Sequence, residues 1–215
     1  MDLDAVVFDN DGLLLDTEGA WTRAEEALFA AHGHQFTPVH KRELLGSSPQ
    51  AAAVKLEALL HAPGQGIELM HQLGDLAYEQ MKVDVEPRPG AIALIEWLGE
   101  AGIPFAVASN STRRMVARGL ETAGVDPALF TAILTADVVT DPKPAPEIYL
   151  TACTALRSQP ERTLVLEDSP TGVAAGIAAG CYTVAVPSTD GVDLSAAALI
   201  VDSLDAPELR RLLAR

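Results

Sequence analysis

The 215-residue sequence has two cysteines, no long hydrophobic run and few basic side chains, and each shortage excludes a class of protein. Cys153 and Cys181 make no CxxC pair and no disulfide framework, so two buried, reduced thiols are expected, which suits the cytoplasm. No apolar stretch approaches the roughly 20 residues that a membrane helix needs. The first four residues, Met1-Asp2-Leu3-Asp4, are acidic where a secretory signal is basic. We therefore expect a cytoplasmic protein that is neither secreted nor inserted in a membrane.

Negative charge dominates the sequence, with 30 acidic against 15 basic side chains and a formal net charge of −15. Such a surface repels phosphate polymers, so we expect no nucleic-acid partner. A phosphorylated small molecule would need a local cation to overcome this field, and a divalent metal held by carboxylates would supply one. Apolar residues make up 48% of the chain, which excludes a mainly disordered protein.

Short apolar runs alternate with helical patterns over most of the chain. Ala5–Phe8 is a continuous apolar run of the kind that forms a buried parallel strand, and Asp9 follows it directly. Further strands are predicted at Phe105–Ala108, Ala132–Leu134, Thr163–Leu166, Tyr182–Val186 and Leu199–Val201. Helices are predicted between them at about 91–101, 113–123, 146–156 and 170–179. This alternation predicts an α/β fold in which a parallel sheet carries helices on both faces.

One long segment after the first strand is predicted to contain helices and no strands. Helices are expected from Glu18 to about 31, at about 39–45, from Ser48-Pro49 to about 61, and at about 67–81. Pro87-Arg88-Pro89-Gly90 then breaks the pattern. The predicted organisation is therefore a discontinuous core of residues 1–15 and 88–215, with a helical insert of residues 18–84.

Reactive side chains follow the predicted strands. Because ligands bind beyond the carboxyl ends of parallel strands, we expect these groups to share one rim of the sheet. Each has an ordinary explanation when taken alone: a turn, a stiff connector or the start of a helix. Together they would supply a nucleophile, a hydroxyl, a cation and metal ligands. The groups are Asp9 and Asp11, Ser109-Asn110, Lys143 between two prolines, and Glu167-Asp168.

This set of motifs resembles the haloacid dehalogenase-like hydrolase superfamily, in particular its phosphoglycolate-phosphatase-like and beta-phosphoglucomutase-like phosphatases. The resemblance covers essentially the whole chain. Its most specific motifs are Asp9-Asn10-Asp11-Gly12 with the trailing Leu15-Asp16-Thr17, and Glu167-Asp168-Ser169 with Gly172 and Gly176. It implies a doubly wound, Rossmann-like core, and it identifies the helical insert with the family's cap domain.

The resemblance also implies roles for the rim residues. Asp9 would be the nucleophile that carries an aspartyl-phosphate, and Asp11 the general acid and base. Mg²⁺ would be held by the Asp9 carboxylate, the Asp11 backbone carbonyl and Asp168, with Glu167 supporting these ligands from behind. The transferring phosphoryl group would be gripped by Ser109, the Asn110 backbone and Lys143. A carboxylate attacking an anionic phosphate needs compensating positive charges, which Mg²⁺ and Lys143 would provide.

We therefore expect a Mg²⁺-dependent phosphatase that acts on a small phosphorylated metabolite, either a sugar phosphate or a phosphorylated acid. Specificity would lie in cap loops such as Gly46-Ser47-Ser48, and hinges near 14–18 and 84–89 would let the cap close. The oligomeric state is not predicted.

Three alternatives compete with this expectation. Asp11 argues against dehalogenase chemistry, and the intact motif set argues against an inactive binding module. A phosphosugar mutase is the nearest rival, but Pro49 and Trp21 stand where the beta-phosphoglucomutases carry an arginine and a histidine.

Overall fold

A six-stranded parallel sheet forms the centre of the protein in the computed structural model, which describes residues 3–44, 47, 49–189 and 191–213. The sheet strands are β1 (Ala5–Phe8), β4 (Phe105–Ala108), β5 (Ala132–Leu134), β6 (Thr163–Glu167), β7 (Tyr182–Ala185) and β8 (Leu199–Ile200). Their order across the sheet is β5-β4-β1-β6-β7-β8. The order places β1 and β6 in the middle, with the predicted parallel arrangement throughout.

Helices cover both faces of this sheet, so the fold is doubly wound as predicted. The core helices are α5 (Ala91–Ala101), α6 (Arg113–Thr122), α7 (Glu147–Leu156), α8 (Pro170–Ala178) and α9 (Pro207–Leu213). The last of these, α9, is absent from our sequence prediction. Alternate residues of β1 enter different apolar clusters: Val6 and Phe8 pack with α5 and α6, whereas Ala5 and Val7 pack with α7 and part of α8.

Among the described residues between β1 and α5 there are four helices, where the sequence predicts an all-helical insert. They are α1 (Glu18–Ala31), α2 (Pro38–Leu44), α3 (Pro49–Leu59) and α4 (Gly66–Met81). α4 packs against both α1 and α3. Its buried face repeats every four residues, at Leu69, Leu73, Ala77 and Met81, whereas Met70 is only partly buried.

A two-stranded antiparallel ribbon joins the insert to the core. β2 (Leu15–Asp16) pairs with β3 (Glu86–Pro87), and Arg88 N donates to Leu14 O at 2.9 Å. The sequence predicts hinges in these two segments, but it does not predict that they pair. The boundaries of a core and a cap domain at this ribbon remain a prediction.

Within the described ranges, no helix combines the length and the apolar character that crossing a bilayer would require.

Candidate active site

The carboxyl end of β1 places Asp9 at the centre of the sheet. Phe8 lies in register with Val107 of β4 on one side and Leu166 of β6 on the other. The residues that follow these two strands therefore flank Asp9, and its own backbone N–H donates to Leu166 O at 2.9 Å. The sheet register thus brings together Asp9, Ser109, Glu167 and Asp168, as the strand-end argument predicts.

Lys143 reaches this point from the loop after β5. Its Nζ donates to Asp9 Oδ1 at 2.6 Å, to Glu167 Oε1 at 2.6 Å and to Ala108 O at 2.8 Å. Only 3% of the lysine is exposed. Burial alone would lower the pKa of Lys143, but the carboxylates of Asp9 and Glu167 raise it above its ordinary value, so the ammonium keeps its charge.

The loop that carries Lys143 is held by Asn110. The Asn110 side chain donates from Nδ2 to Lys143 O at 3.2 Å and accepts from Lys143 N at 3.0 Å through Oδ1. These reciprocal bonds tie the segment after β4 to the loop after β5. The structure therefore gives the Asn110 side chain a contact with the lysine loop, while the predicted use of its backbone on phosphate stays a prediction.

Glu167 is fully buried and both of its oxygens are occupied. Oε1 accepts from Lys143 Nζ and from Tyr149 Oη at 2.5 Å, and Oε2 accepts from Asp168 N, Ser169 N and Ser169 Oγ at 3.1 to 3.3 Å. A Cβ at Gly172 would overlap this carboxyl group, so only glycine fits there. Glu167 thus links Lys143 to the start of α8.

The Asp11 carboxylate is surrounded by hydroxyl groups. Thr17 Oγ1 donates to Oδ1 at 3.1 Å, and Ser109 Oγ and Ser111 Oγ donate to Oδ2 at 3.0 and 2.8 Å. The predicted acid and the predicted phosphate-binding serine are therefore hydrogen-bonded to each other. Their functional roles, and that of the Asp11 backbone carbonyl, remain predictions.

Our sequence prediction omits three residues of this site: Ser111, Tyr149 and Ser188. Ser111 follows Ser109 at the same two-residue spacing as Asp11 follows Asp9, and this repeated spacing is a signal that could identify it. Ser188 follows β7, and its Oγ donates to Asp168 Oδ2 at 2.6 Å. Its signal is its place at a strand end. Tyr149 lies inside α7, where apolar periodicity alone predicts a packing residue.

A cluster of carboxylates makes this rim suitable for a hard divalent cation. Asp9, Glu167 and Asp168 each place one oxygen within 4.8 Å of the others, and they are the sole such group within the described part of the chain. Burial raises the pKa of Asp9 well above its ordinary value although Lys143 opposes this, and burial followed by Glu167 raises the pKa of Asp168 to about 7. One lysine cannot neutralise this cluster. All-oxygen donors and an excess of negative charge fit Mg²⁺.

The structure describes one of the three cap residues that the sequence offers as candidates. Gly46 and Ser48 lie outside the described residues. Ser47 is half-buried, and its Oγ accepts from Lys55 Nζ at 2.7 Å, which ties it to α3. A contact between these residues and substrate remains a prediction.

Lys41 in the insert is held between two carboxylates. Its Nζ lies 3.1 Å from Glu18 Oε2 and 3.0 Å from Glu25 Oε2. Burial raises the pKa of Glu25, while the ammonium of Lys41 opposes that shift.

A Rossmann-like sheet with carboxylates at its central strand ends and a helical insert after β1 defines a class of capped hydrolases. The family model of haloacid dehalogenase-like hydrolases matches residues 3–180, and the chain belongs to that family. Hexitol phosphatase A of Escherichia coli (strain K12) is 32% identical over 213 residues, which cover 93% of this chain and 90% of that protein.

Two further proteins show how far the similarity extends. A crystal structure of a CbbY variant from Rhodobacter sphaeroides in complex with xylulose-(1,5)bisphosphate matches with a TM-score of 0.82 at 30% identity, covering 94% of this chain and 95% of that one. The bifunctional riboflavin kinase/FMN phosphatase of Arabidopsis thaliana is 33% identical over 183 residues, and this chain spans about half of its length, 48%. The predicted family and enzyme class, a phosphoric monoester hydrolase, are confirmed.

Proposed function

We propose that this protein is a Mg²⁺-dependent phosphatase that hydrolyses small sugar phosphates through an aspartyl-phosphate on Asp9. The observation that carries the proposal is the contact of Asp9 Oδ1 with Lys143 Nζ at 2.6 Å, inside a cluster of carboxylates at the centre of the sheet. A buried carboxylate beside a fixed ammonium is well suited to attack an anion, because the ammonium offsets the repulsion between the two.

The first step transfers the phosphoryl group to the protein. A carboxylate oxygen of Asp9 attacks phosphorus, the bond from phosphorus to the substrate oxygen breaks, and Asp11 gives its proton to that oxygen. The Ser109 hydroxyl and the Asn110 backbone N–H would hold the phosphoryl oxygens, and the ammonium of Lys143 would offset their negative charge. Asp11 must be protonated for this step, and its hydroxyl neighbours Thr17, Ser109 and Ser111 can all rotate to accept as well as donate.

The second step releases phosphate. Asp11, now a carboxylate, takes a proton from a water molecule whose oxygen attacks the aspartyl-phosphate, and the Asp9 carboxylate is restored. One ester and one water give one alcohol and one phosphate, and the proton on Asp11 is returned.

Mg²⁺ would be held by the carboxylates of Asp9 and Asp168 and by the Asp11 backbone carbonyl. When bound, it supplies positive charge to the phosphate oxygens in addition to that of Lys143. Glu167 would support these ligands from behind and would not bind Mg²⁺ directly, because both of its oxygens already accept hydrogen bonds from the protein.

Two features favour sugar phosphate hydrolysis over phosphosugar isomerisation. One relative is a hexitol phosphatase, and the pentulose bisphosphate bound by another supports a sugar phosphate as the substrate class without separating the two reactions. A mutase also needs a cation in the cap for the second phosphate, and Lys41 is already engaged by Glu18 and Glu25.

The test is phosphate release from a panel of a hexitol phosphate, a pentulose bisphosphate, a hexose phosphate and phosphoglycolate, with Mg²⁺ and with EDTA. We expect turnover of sugar phosphates that requires Mg²⁺ and is lost in Asp9→Asn. Asp202→Asn, the same change at an exposed residue after β8, is the matched control. Full activity in EDTA, or appreciable activity in purified Asp9→Asn, would contradict the proposal.

A further inference from the structure

The loop after β7 contributes a hydroxyl group to the carboxylate cluster. Ser188 Oγ donates to Asp168 Oδ2 at 2.6 Å. This short distance is typical of a hydroxyl bonded to an ionised acceptor. β7 pairs with β6, with Glu167 in register with Ala185, so the residues that follow both strands come to the same edge of the sheet.

Gly12 confines the same carboxylate oxygen from another direction. Its φ is +85°, and a Cβ at this position would overlap Asp168 Oδ2 and lie 3.3 Å from Ser188 Oγ. Asp168 Oδ2 therefore lies between the Gly12 backbone and the Ser188 hydroxyl. This enclosure restricts rotation of the carboxyl group.

We infer that Ser188 is a positioning residue that holds the Asp168 carboxylate in the orientation needed to bind Mg²⁺, an inference that rests on the proposed Mg²⁺ site. A carboxylate that is already oriented loses less conformational freedom when it takes up a cation. Partners that orient metal ligands typically account for about 10- to 100-fold in metal affinity.

The test is isothermal titration calorimetry of metal-free protein with Mg²⁺. We expect Ser188→Ala to bind Mg²⁺ about 10- to 100-fold more weakly than the wild type. Its phosphate release should then need a correspondingly higher Mg²⁺ concentration for half-maximal rate. Ser188→Thr keeps the hydroxyl, and we expect its affinity to stay within about threefold of the wild type.

Ser158→Ala is the matched control, because Ser158 Oγ makes the same kind of bond, to Asp4 Oδ1 at 2.8 Å, at the opposite end of the sheet. If Ser188→Ala does not fold, Ser188→Cys replaces it, since a thiol has a similar shape and donates poorly. Equal Mg²⁺ affinity in the wild type and in the folded Ser188 variant would overturn the inference. Absence of Mg²⁺ binding by the wild type would instead overturn the proposed function.

Discussion

At the residue scale, the site is governed by one ammonium among several buried carboxylates. Lys143 contacts both Asp9 and Glu167, and burying such charges is costly unless they are paired and hydrogen-bonded. Glu167 meets this condition through five hydrogen bonds from protein donors. Asp168, by contrast, has a pKa raised to about 7 by burial and by Glu167, so its charge is not fully compensated. A bound cation would relieve this imbalance.

Asp11 provides a prediction at the same scale. Asp11→Asn keeps the shape of the side chain and removes proton transfer, which is typically worth ~100- to 10,000-fold in rate. We expect a loss of that size on sugar phosphates and a smaller loss on p-nitrophenyl phosphate, whose leaving group needs little protonation. Steady-state rates on both substrates measure the difference, with Asp202→Asn as control. An equal loss on both substrates would show that Asp11 is not the acid.

The sequence predicts those site residues that a motif or a strand end marks. Asp9, Ser109 and Asp168 come to one edge of the sheet because the adjacent strands β4, β1 and β6 end together, and Lys143 reaches that edge from the loop after β5. Tyr149 could not be identified in this way, because its contact with Glu167 depends on how closely α7 packs against the sheet. Ser188 follows β7, so its place at a strand end is a signal that the sequence itself contains.

At the scale of elements, the length of a strand decides whether the sequence predicts it. The buried strands β1 and β4 are continuous apolar runs, and their predicted limits agree with the structure. The ribbon strands β2 and β3 have two residues each, too few to show a period of two. Their pairing follows from the place where the chain leaves the core and returns, which is a property of the tertiary structure.

The charges of the insert helices lead to a prediction that distinguishes hydrolysis from isomerisation. A mutase must hold a bisphosphorylated intermediate through a cation in its cap, whereas Trp21 and Pro49 carry no charge and Lys41 is paired with two glutamates. We expect beta-glucose 1-phosphate, given with a bisphosphate primer, to yield free phosphate and little glucose 6-phosphate. Product analysis by ³¹P NMR distinguishes the two. Rapid, primer-dependent isomerisation with little phosphate release would reverse the assignment.

At the scale of the whole molecule, the net charge of −15 and the carboxylate cluster should both make the metal-free protein less stable as the pH rises. Raising the pH adds negative charge to a protein that already repels itself. The pKa of Asp168 is raised to about 7, against about 3.9 in an unfolded chain, so between about pH 4 and pH 7 the folded protein holds a proton that the unfolded chain has released, and the raised pKa of Asp9 acts in the same direction. Stability of the metal-free protein and affinity for Mg²⁺ should therefore depend on pH in opposite directions.

This opposition gives the last prediction. An Asp whose folded pKa is about 7, against about 3.9 in an unfolded chain, stabilises the fold below about pH 4 and loses that contribution as the pH rises through 7. In EDTA, the free energy of unfolding should fall between pH 5 and pH 8, and it should fall less steeply in Asp168→Asn. On the proposed function Mg²⁺ would bind the deprotonated carboxylates, so it should raise the melting temperature more at pH 8 than at pH 5. Chemical denaturation and thermal melts at both pH values measure these effects. Identical pH slopes in the wild type and in Asp168→Asn would show that Asp168 titrates outside this range and that its burial does not govern the stability of the metal-free site.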